Sequence, residues 1–244
     1  MLKKHHSSGT LMERREFIKI CAVTAALAAS DTLAAKSREP RFYSRTLLVD
    51  YDGHPFKTSE MQIKRNYIFN YPFVGTPCFL LNLGKPTTSD AILATADGKS
   101  YHWNGGVGAD RSIVAYSAIC AHQLAYPTRQ ISFISFRGDV SPKIGNANVI
   151  HCCAEHSEYD PAQGAKVISG PAPQPLAAIM LEYNKKTDEL FAVGTLGGEL
   201  FNDFFSKYDF RLNLEYGSNA AEKPVTGEAV VTELKAFCQQ QVRC

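Results

Sequence analysis

Residues 120–122 read Cys-Ala-His, and residues 153–156 read Cys-Ala-Glu-His. Each stretch places an imidazole shortly after a thiol, and thirty residues separate the two stretches. Thiolate sulfur and imidazole nitrogen are common ligands of transition metals in proteins. The candidate metal ligands of this chain are therefore Cys120, His122, Cys153 and His156.

The order Cys-x-His followed by Cys-x-x-His resembles the ligand pattern of Rieske [2Fe–2S] proteins. The resemblance implies one cluster per chain, with Cys120 and Cys153 on one iron and the two histidines on the other. Two neutral imidazoles in place of two thiolates make such a cluster less negative, so its reduction potential is expected at about −150 to +300 mV. A zinc site with two cysteines and two histidines uses the same ligand types and stays an alternative.

The residues after the second motif extend the resemblance. A small residue and then Tyr159-Asp160 follow His156, as is common in the family, although the turn is one residue shorter than in quinol-oxidising relatives; Gly164 comes next. Residues 170–176 (Gly-Pro-Ala-Pro-Gln-Pro-Leu) resemble the proline loop that covers the cluster in quinol-oxidising members. The resemblance implies an all-β fold: a Rieske-type antiparallel β-sandwich with a small cluster-binding subdomain and a short C-terminal helical extension.

Two positions depart from quinol-oxidising relatives, in which a disulfide joins the two cluster loops. Ala125 and Glu155 stand where its cysteines would be, so the loops are expected to be held by hydrogen bonds and packing alone. An ionised Glu155 beside the cluster would lower its potential. Ser157 and Tyr159 are candidates for hydrogen bonds to the cluster sulfurs, although Tyr159 could equally be a core aromatic.

Seven cysteines occur in the chain, which is too few for a disulfide scaffold at this length. On a strand, Cys152 cannot share the direction of Cys153, and it could pair with Cys78 or stay buried and free. Cys238 and Cys244 could bridge each other in an oxidising compartment.

Short runs of branched and aromatic residues alternate with turn residues over most of the chain, which predicts a β-sandwich or barrel. Only residues 201–208 and 230–242 are predicted to be helical. The predicted strands are 46–49, 63–70, 78–83, 101–103, 113–116, 130–136, 148–151, 167–169, 177–183 and 189–193. The expected boundaries are a signal or anchor over 1–35, a linker over 36–62, a Rieske domain over 63–200 and an extension over 201–244.

The first 35 residues have the character of an export signal. Arg14-Arg15-Glu16-Phe17-Ile18-Lys19 resembles a twin-arginine signal and precedes an apolar run over residues 20–29. Asp31 interrupts the apolar stretch, which favours cleavage over retention as a membrane anchor. These features predict a location in the periplasm or at the periplasmic face of the inner membrane.

Composition and motifs together narrow the function. The formal net charge is +2, and this near-balance of basic and acidic residues does not point to nucleic-acid binding. The chain is expected to be an electron-transfer subunit of a respiratory (quinol–cytochrome type) or periplasmic oxidoreductase, without a catalytic centre of its own. Expected partners are a cytochrome or oxidoreductase subunit and a quinol, with membrane association through the N-terminus.

Two alternatives to that role stay open. One is a zinc-stabilised periplasmic binding or assembly module. The other is a Rieske component that feeds a separate oxygenase. An oxygenase iron needs two histidines and a carboxylate, and no histidine follows Gly170, so that iron is not expected in this chain.

Overall fold

A computed structural model of the chain describes residues 39–138 and 147–244. Strands predominate in these ranges, so the predicted all-β class is confirmed. The strands are β1 (Arg41–Val49), β2 (Tyr67–Asn70), β3 (Pro77–Asn82), β4 (Ala91–Ala94), β5 (Ser100–Trp103), β6 (Ile113–Ser117), β7 (Ile131–Ser132), β8 (Ile134–Arg137), β9 (Val149–Cys152), β10 (Ser157–Asp160), β11 (Lys166–Ser169), β12 (Ala178–Asn184), β13 (Glu189–Leu196), β14 (Glu228–Val230), β15 (Thr232–Glu233) and β16 (Gln240–Gln241). The α-helices are α1 (Leu200–Tyr216) and α2 (Leu234–Phe237).

The main sheet has eight strands in the order β14-β1-β13-β12-β6-β3-β2-β15. Its neighbouring strands are antiparallel except β1 and β14, which are parallel. On β3, Phe79 and Leu81 point into one hydrophobic core, whereas Cys78 and Leu80 point into a second core on the opposite face. Since both faces of β3 are buried, its sequence is a continuous apolar run rather than an alternating one.

Helix α1 packs into the second core. Five of its side chains are buried in that core, and their spacing places them on one stripe of the helix: Leu200, Phe201, Phe204, Phe205 and Leu212. The helix ends before Gly217, which has a positive φ of 91°. The predicted helix over 201–208 is therefore present and continues for about two more turns.

The predicted helix over residues 230–242 is wrong. Strands β14, β15 and β16 and the short helix α2 divide this segment. Leu234 and Cys238 have the helical spacing that the prediction used, but it is maintained over one turn only. Residues 232–233 pair with β2 and residues 240–241 pair with β7. Pairing with these strands gives the backbone polar groups partners outside a helix.

A smaller antiparallel sheet carries the second motif. It has four strands in the order β11-β10-β9-β8. Ile134, Ile150 and Tyr159 of this sheet are fully buried in the first core, together with Tyr116 of the main sheet. The Tyr116 hydroxyl also donates a hydrogen bond to the carbonyl of Pro161 at 2.7 Å. The small sheet therefore packs on the main sheet through the first core.

Both flanking segments contribute to the main sheet. Strand β1 lies in the stretch expected to be a linker, yet it pairs with β13 and β14. Residues 201–244, expected to be an extension, supply α1 and β14 to the same sheet and its second core. The signal predicted over residues 1–35 lies outside the described residues. None of the helices within the described ranges has the length and hydropathy needed to span a membrane.

Candidate metal centre

Both sequence motifs lie where strands end. Strand β6 leads into a turn that holds residues 120–122. Strand β9 ends at Cys152, and residues 153–156 form the turn of the hairpin that joins it to β10. The two sheets meet at the first core, so this arrangement brings the two turns to the same region of the fold.

Two buried thiols, those of Cys120 and Cys152, meet beneath these turns. Both residues are fully buried, and their side chains form a hydrogen bond with each other. The hydrogen bond from Cys152 lowers the pKa of Cys120 to about 6, although burial acts in the opposite direction. The hydrogen bond with Cys120, followed by burial, raises the pKa of Cys152. The pair thus favours one thiolate beside one thiol, and a metal that bound both sulfurs would release the remaining proton.

Several donors face the Cys120 sulfur. The Tyr159 hydroxyl lies 3.3 Å from it and accepts a hydrogen bond from the Ala121 N–H at 3.1 Å, so the hydroxyl hydrogen is free to point at the sulfur. The backbone N–H groups of His122 and Gln123 also hydrogen-bond this sulfur and lower the pKa of Cys120. Tyr159 is fully buried, so it is both a core aromatic and a hydrogen-bond partner of a candidate ligand.

His122 and Ser157 each hold a buried polar atom without a partner. Neither His122 Nδ1 nor Ser157 Oγ makes a hydrogen bond to any part of the chain that the structure describes. Proteins pair nearly all such buried atoms, and an unpaired one points to a bound ion or water. The nitrogen can bind a metal, and the hydroxyl can donate to a sulfide. Together with the two thiols, these groups fit an iron–sulfur cluster.

The proline loop packs against the second turn. Gly170 has a φ of +86°, and a Cβ at this position would lie 2.5 Å from the carbonyl oxygen of His156. Ala172 of the same loop is buried in the core that contains both thiols. His156 itself is exposed and has a left-handed backbone with a φ of 57°, which is uncommon for a residue other than glycine.

One predicted ligand, Cys153, lies in a disulfide in this structure. The sulfur of Cys153 is bonded to Cys244, and a disulfide sulfur is not a thiolate ligand. Side chains alternate along a strand, so Cys152 faces the first core with Ile150, and Cys153 points elsewhere. Cys152 replaces Cys153 as the candidate ligand, and the second motif becomes Cys-x-x-x-His. Metal binding by Cys120, His122 and His156 stays a prediction.

The other cysteine predictions have mixed outcomes. The second loop is not held by hydrogen bonds and packing alone, because the Cys153–Cys244 disulfide ties it to the final segment. The predicted Cys238–Cys244 bridge is wrong, since the Cys238 thiol is free and donates to a backbone carbonyl. Cys78 and Cys152 are also free and buried, which is the second of the two alternatives for Cys152.

Two further groups of possible metal ligands occur in the described ranges: His151, Cys153 and Cys244, and Asp50, Asp52 and His54. In the acidic group, the Asp50 carboxylate accepts hydrogen bonds from the backbone N–H groups of Asp52 and His54 at 2.9 and 2.8 Å. This pattern is that of a turn stabilised by an aspartate, and it needs no metal.

Comparison with known proteins gives a partial likeness. No known protein family matches the chain. Among solved structures, the chain is similar to the soluble domain of the Rieske protein II (soxF) from Sulfolobus acidocaldarius. The sequence identity is 27%, the match covers 63% of this chain and 78% of that chain, and the TM-score is 0.44.

Proposed function

We propose that the chain binds one Rieske-type [2Fe–2S] cluster and transfers single electrons. Its ligands would be Cys120, Cys152, His122 and His156. The proposal rests on the meeting of two buried thiols under the Tyr159 hydroxyl, beside an unpaired His122 Nδ1. Two sulfurs and two imidazoles are the donors that divide between the two irons of such a cluster. When bound, the cluster supplies one-electron redox chemistry.

Groups of the chain itself would tune this centre. The backbone N–H groups and the Tyr159 hydroxyl donate towards the Cys120 sulfur, which favours extra negative charge there and raises the reduction potential. The unpaired Ser157 hydroxyl is available for another such hydrogen bond. Burial of both thiols keeps water away from the sulfur side. The exposed His156 offers an imidazole edge to a redox partner.

Adjacent cysteines provide a matched pair of variants that test the ligand set. After anaerobic reconstitution, the wild-type chain is expected to hold about two irons and two sulfides. Cys152→Ser is expected to hold almost none, because it removes a buried ligand. Cys153→Ser removes only the disulfide and is expected to retain iron, visible colour and an EPR signal with a low average g-value. Loss of the cluster in Cys153→Ser together with retention in Cys152→Ser would refute this ligand set.

Zinc is the alternative metal for the same donor types, and the chain would then be a periplasmic binding or assembly module stabilised by that ion. A zinc protein is colourless and has no EPR signal. Elemental analysis of the purified chain that finds about one zinc and no iron would overturn the cluster proposal.

The proposal extends to a role outside the cytoplasm, as an electron-transfer subunit of a respiratory (quinol–cytochrome type) or other periplasmic oxidoreductase. The twin-arginine-like segment at Arg14 supports export, and the proline-rich segment at 170–176 supports contact with a quinol-oxidising partner. Cell fractionation and copurification test this role. Recovery from the cytoplasm would contradict the location, and copurification with an oxygenase would favour the alternative role.

A further inference from the structure

A second sulfur pair lies beside the candidate metal centre and is not part of it. The Cys153–Cys244 disulfide closes across 91 residues of sequence, and its Cα atoms are 5.7 Å apart. Both residues are only partly buried, in contrast to the fully buried Cys120 and Cys152. A reagent in solution can therefore reach this bond more easily than the other cysteines.

The guanidinium of Arg137 contacts both sulfurs of this bond. One terminal nitrogen lies 2.7 Å from the Cys153 sulfur and 3.7 Å from the Cys244 sulfur, and the other donates to the main-chain oxygen of Cys244 at 3.0 Å. Sulfur in a neutral disulfide is a weak acceptor, whereas a thiolate forms a charge-assisted hydrogen bond with a guanidinium. Arg137 therefore stabilises the reduced pair more than the oxidised pair.

A second polar group lies beside the Cys244 sulfur. The His151 imidazole is buried, and its Nε2 lies 3.7 Å from the Cys244 sulfur. The Glu158 carboxylate lies 4.0 Å from the Nδ1 of the same ring. A structural disulfide packed in an apolar core would lack such polar surroundings, which are typical of reactive thiols.

We propose that Cys153 and Cys244 form a thiol–disulfide exchange site whose substrate is a dithiol. A thiolate of the dithiol attacks the Cys244 sulfur, so a mixed disulfide forms and the Cys153–Cys244 bond breaks. Cys153 leaves as a thiolate that is stabilised by Arg137. This stabilisation makes Cys153 a better leaving group than Cys244. The second thiol of the dithiol then attacks the mixed disulfide and releases Cys244. The chain gains two electrons and two protons, and the dithiol becomes a disulfide.

Thiol counting on the native full chain tests this site without reference to iron, so it is independent of the cluster proposal. The protein is equilibrated in mixtures of reduced and oxidised dithiothreitol, alkylated and mapped by mass spectrometry. We expect two thiols to appear, at positions 153 and 244, while the buried Cys78 and Cys238 stay unlabelled. Persistence of the disulfide until the chain is denatured would overturn the proposal, as would free thiols at positions 153 and 244 before any reductant is added.

Arg137 provides the more specific test. In Arg137→Gln, half-reduction of the Cys153–Cys244 bond is expected to need a ratio of reduced to oxidised dithiothreitol about tenfold higher than in the wild type. The reason is that the thiolates lose a charge-assisted hydrogen bond. Arg45→Gln is the matched control, since Arg45 pairs with Glu182 and is expected to leave the midpoint unchanged. An unchanged midpoint in a folded Arg137→Gln chain would overturn the role of the arginine. If that variant fails to fold, the wild-type titration still decides whether the site is reducible.

Discussion

Removal of one oxygen atom, in Tyr159→Phe, tests the candidate centre most directly. The hydroxyl lies 3.3 Å from the Cys120 sulfur and accepts the Ala121 N–H at 3.1 Å. The ring is fully buried, so phenylalanine fills the same space without a cavity. The variant therefore removes one hydrogen bond to a ligand sulfur and leaves one buried N–H without its acceptor.

The two losses have different magnitudes and different readouts. A hydrogen bond to sulfur that is stronger in the reduced state by about 1 kcal/mol corresponds to about 40 mV for a one-electron couple, so the potential should fall by about that amount. The unpaired Ala121 N–H should cost about 1–3 kcal/mol of folding free energy. For a chain of this size, the melting temperature should fall by about 2–4 °C per kcal/mol.

Voltammetry and thermal unfolding of the iron-loaded chain measure the two effects. Tyr116→Phe is the matched control, because its hydroxyl donates to the Pro161 carbonyl in the same core and makes no hydrogen bond to a cysteine in the described part of the chain. The control should lose stability without a shift in potential. A potential in Tyr159→Phe that is unchanged, or higher than in the wild type, would refute the placement of this hydroxyl at a ligand sulfur.

Three further variants have defined outcomes. In thermal unfolding, Gly170→Ala should melt several degrees below the control Gly98→Ala. Both glycines have a positive φ, but only a Cβ at position 170 meets the His156 carbonyl, whereas position 98 has open space. Equal melting temperatures would contradict the packing of the proline loop. Burial raises the pKa of Asp188, but hydrogen bonds from neighbouring hydroxyl and amide groups outweigh it and hold this pKa at about 2. The ionised Asp188 therefore stabilises the folded chain above the unfolded pKa of about 4, and this contribution is lost as the pH falls towards 2. Urea unfolding should therefore show a wild-type advantage over Asp188→Asn at neutral pH that disappears at acidic pH, and a constant difference would refute this. Glu155→Gln should raise the potential by at most about 40 mV, less at high salt, since the side chain is exposed; a fall would contradict the expected sign.

The fold class and the spacing of the candidate ligands follow from short-range patterns along the chain. Short apolar runs separated by turns predict an all-β chain, and the helical stripe that begins at Phe201 predicts α1. These signals are local, because they arise from the backbone preferences and burial of adjacent residues. The two motifs, Cys-Ala-His at 120–122 and a later cysteine followed by His156, can likewise be recognised from the residue types and their spacing.

Which of the two adjacent cysteines faces Cys120 depends on the folded arrangement of the strands. A shift of one residue along a strand reverses the direction of the side chain, and spacing along the chain cannot reveal it. Cys152 is two residues after Ile150, and side chains two apart on a strand point to the same face. This signal identifies Cys152 only once the face of β9 that meets the core is known. The partner of Cys153 was equally hidden, because Cys244 is 91 residues away and only the folded path of the chain brings the two sulfurs together.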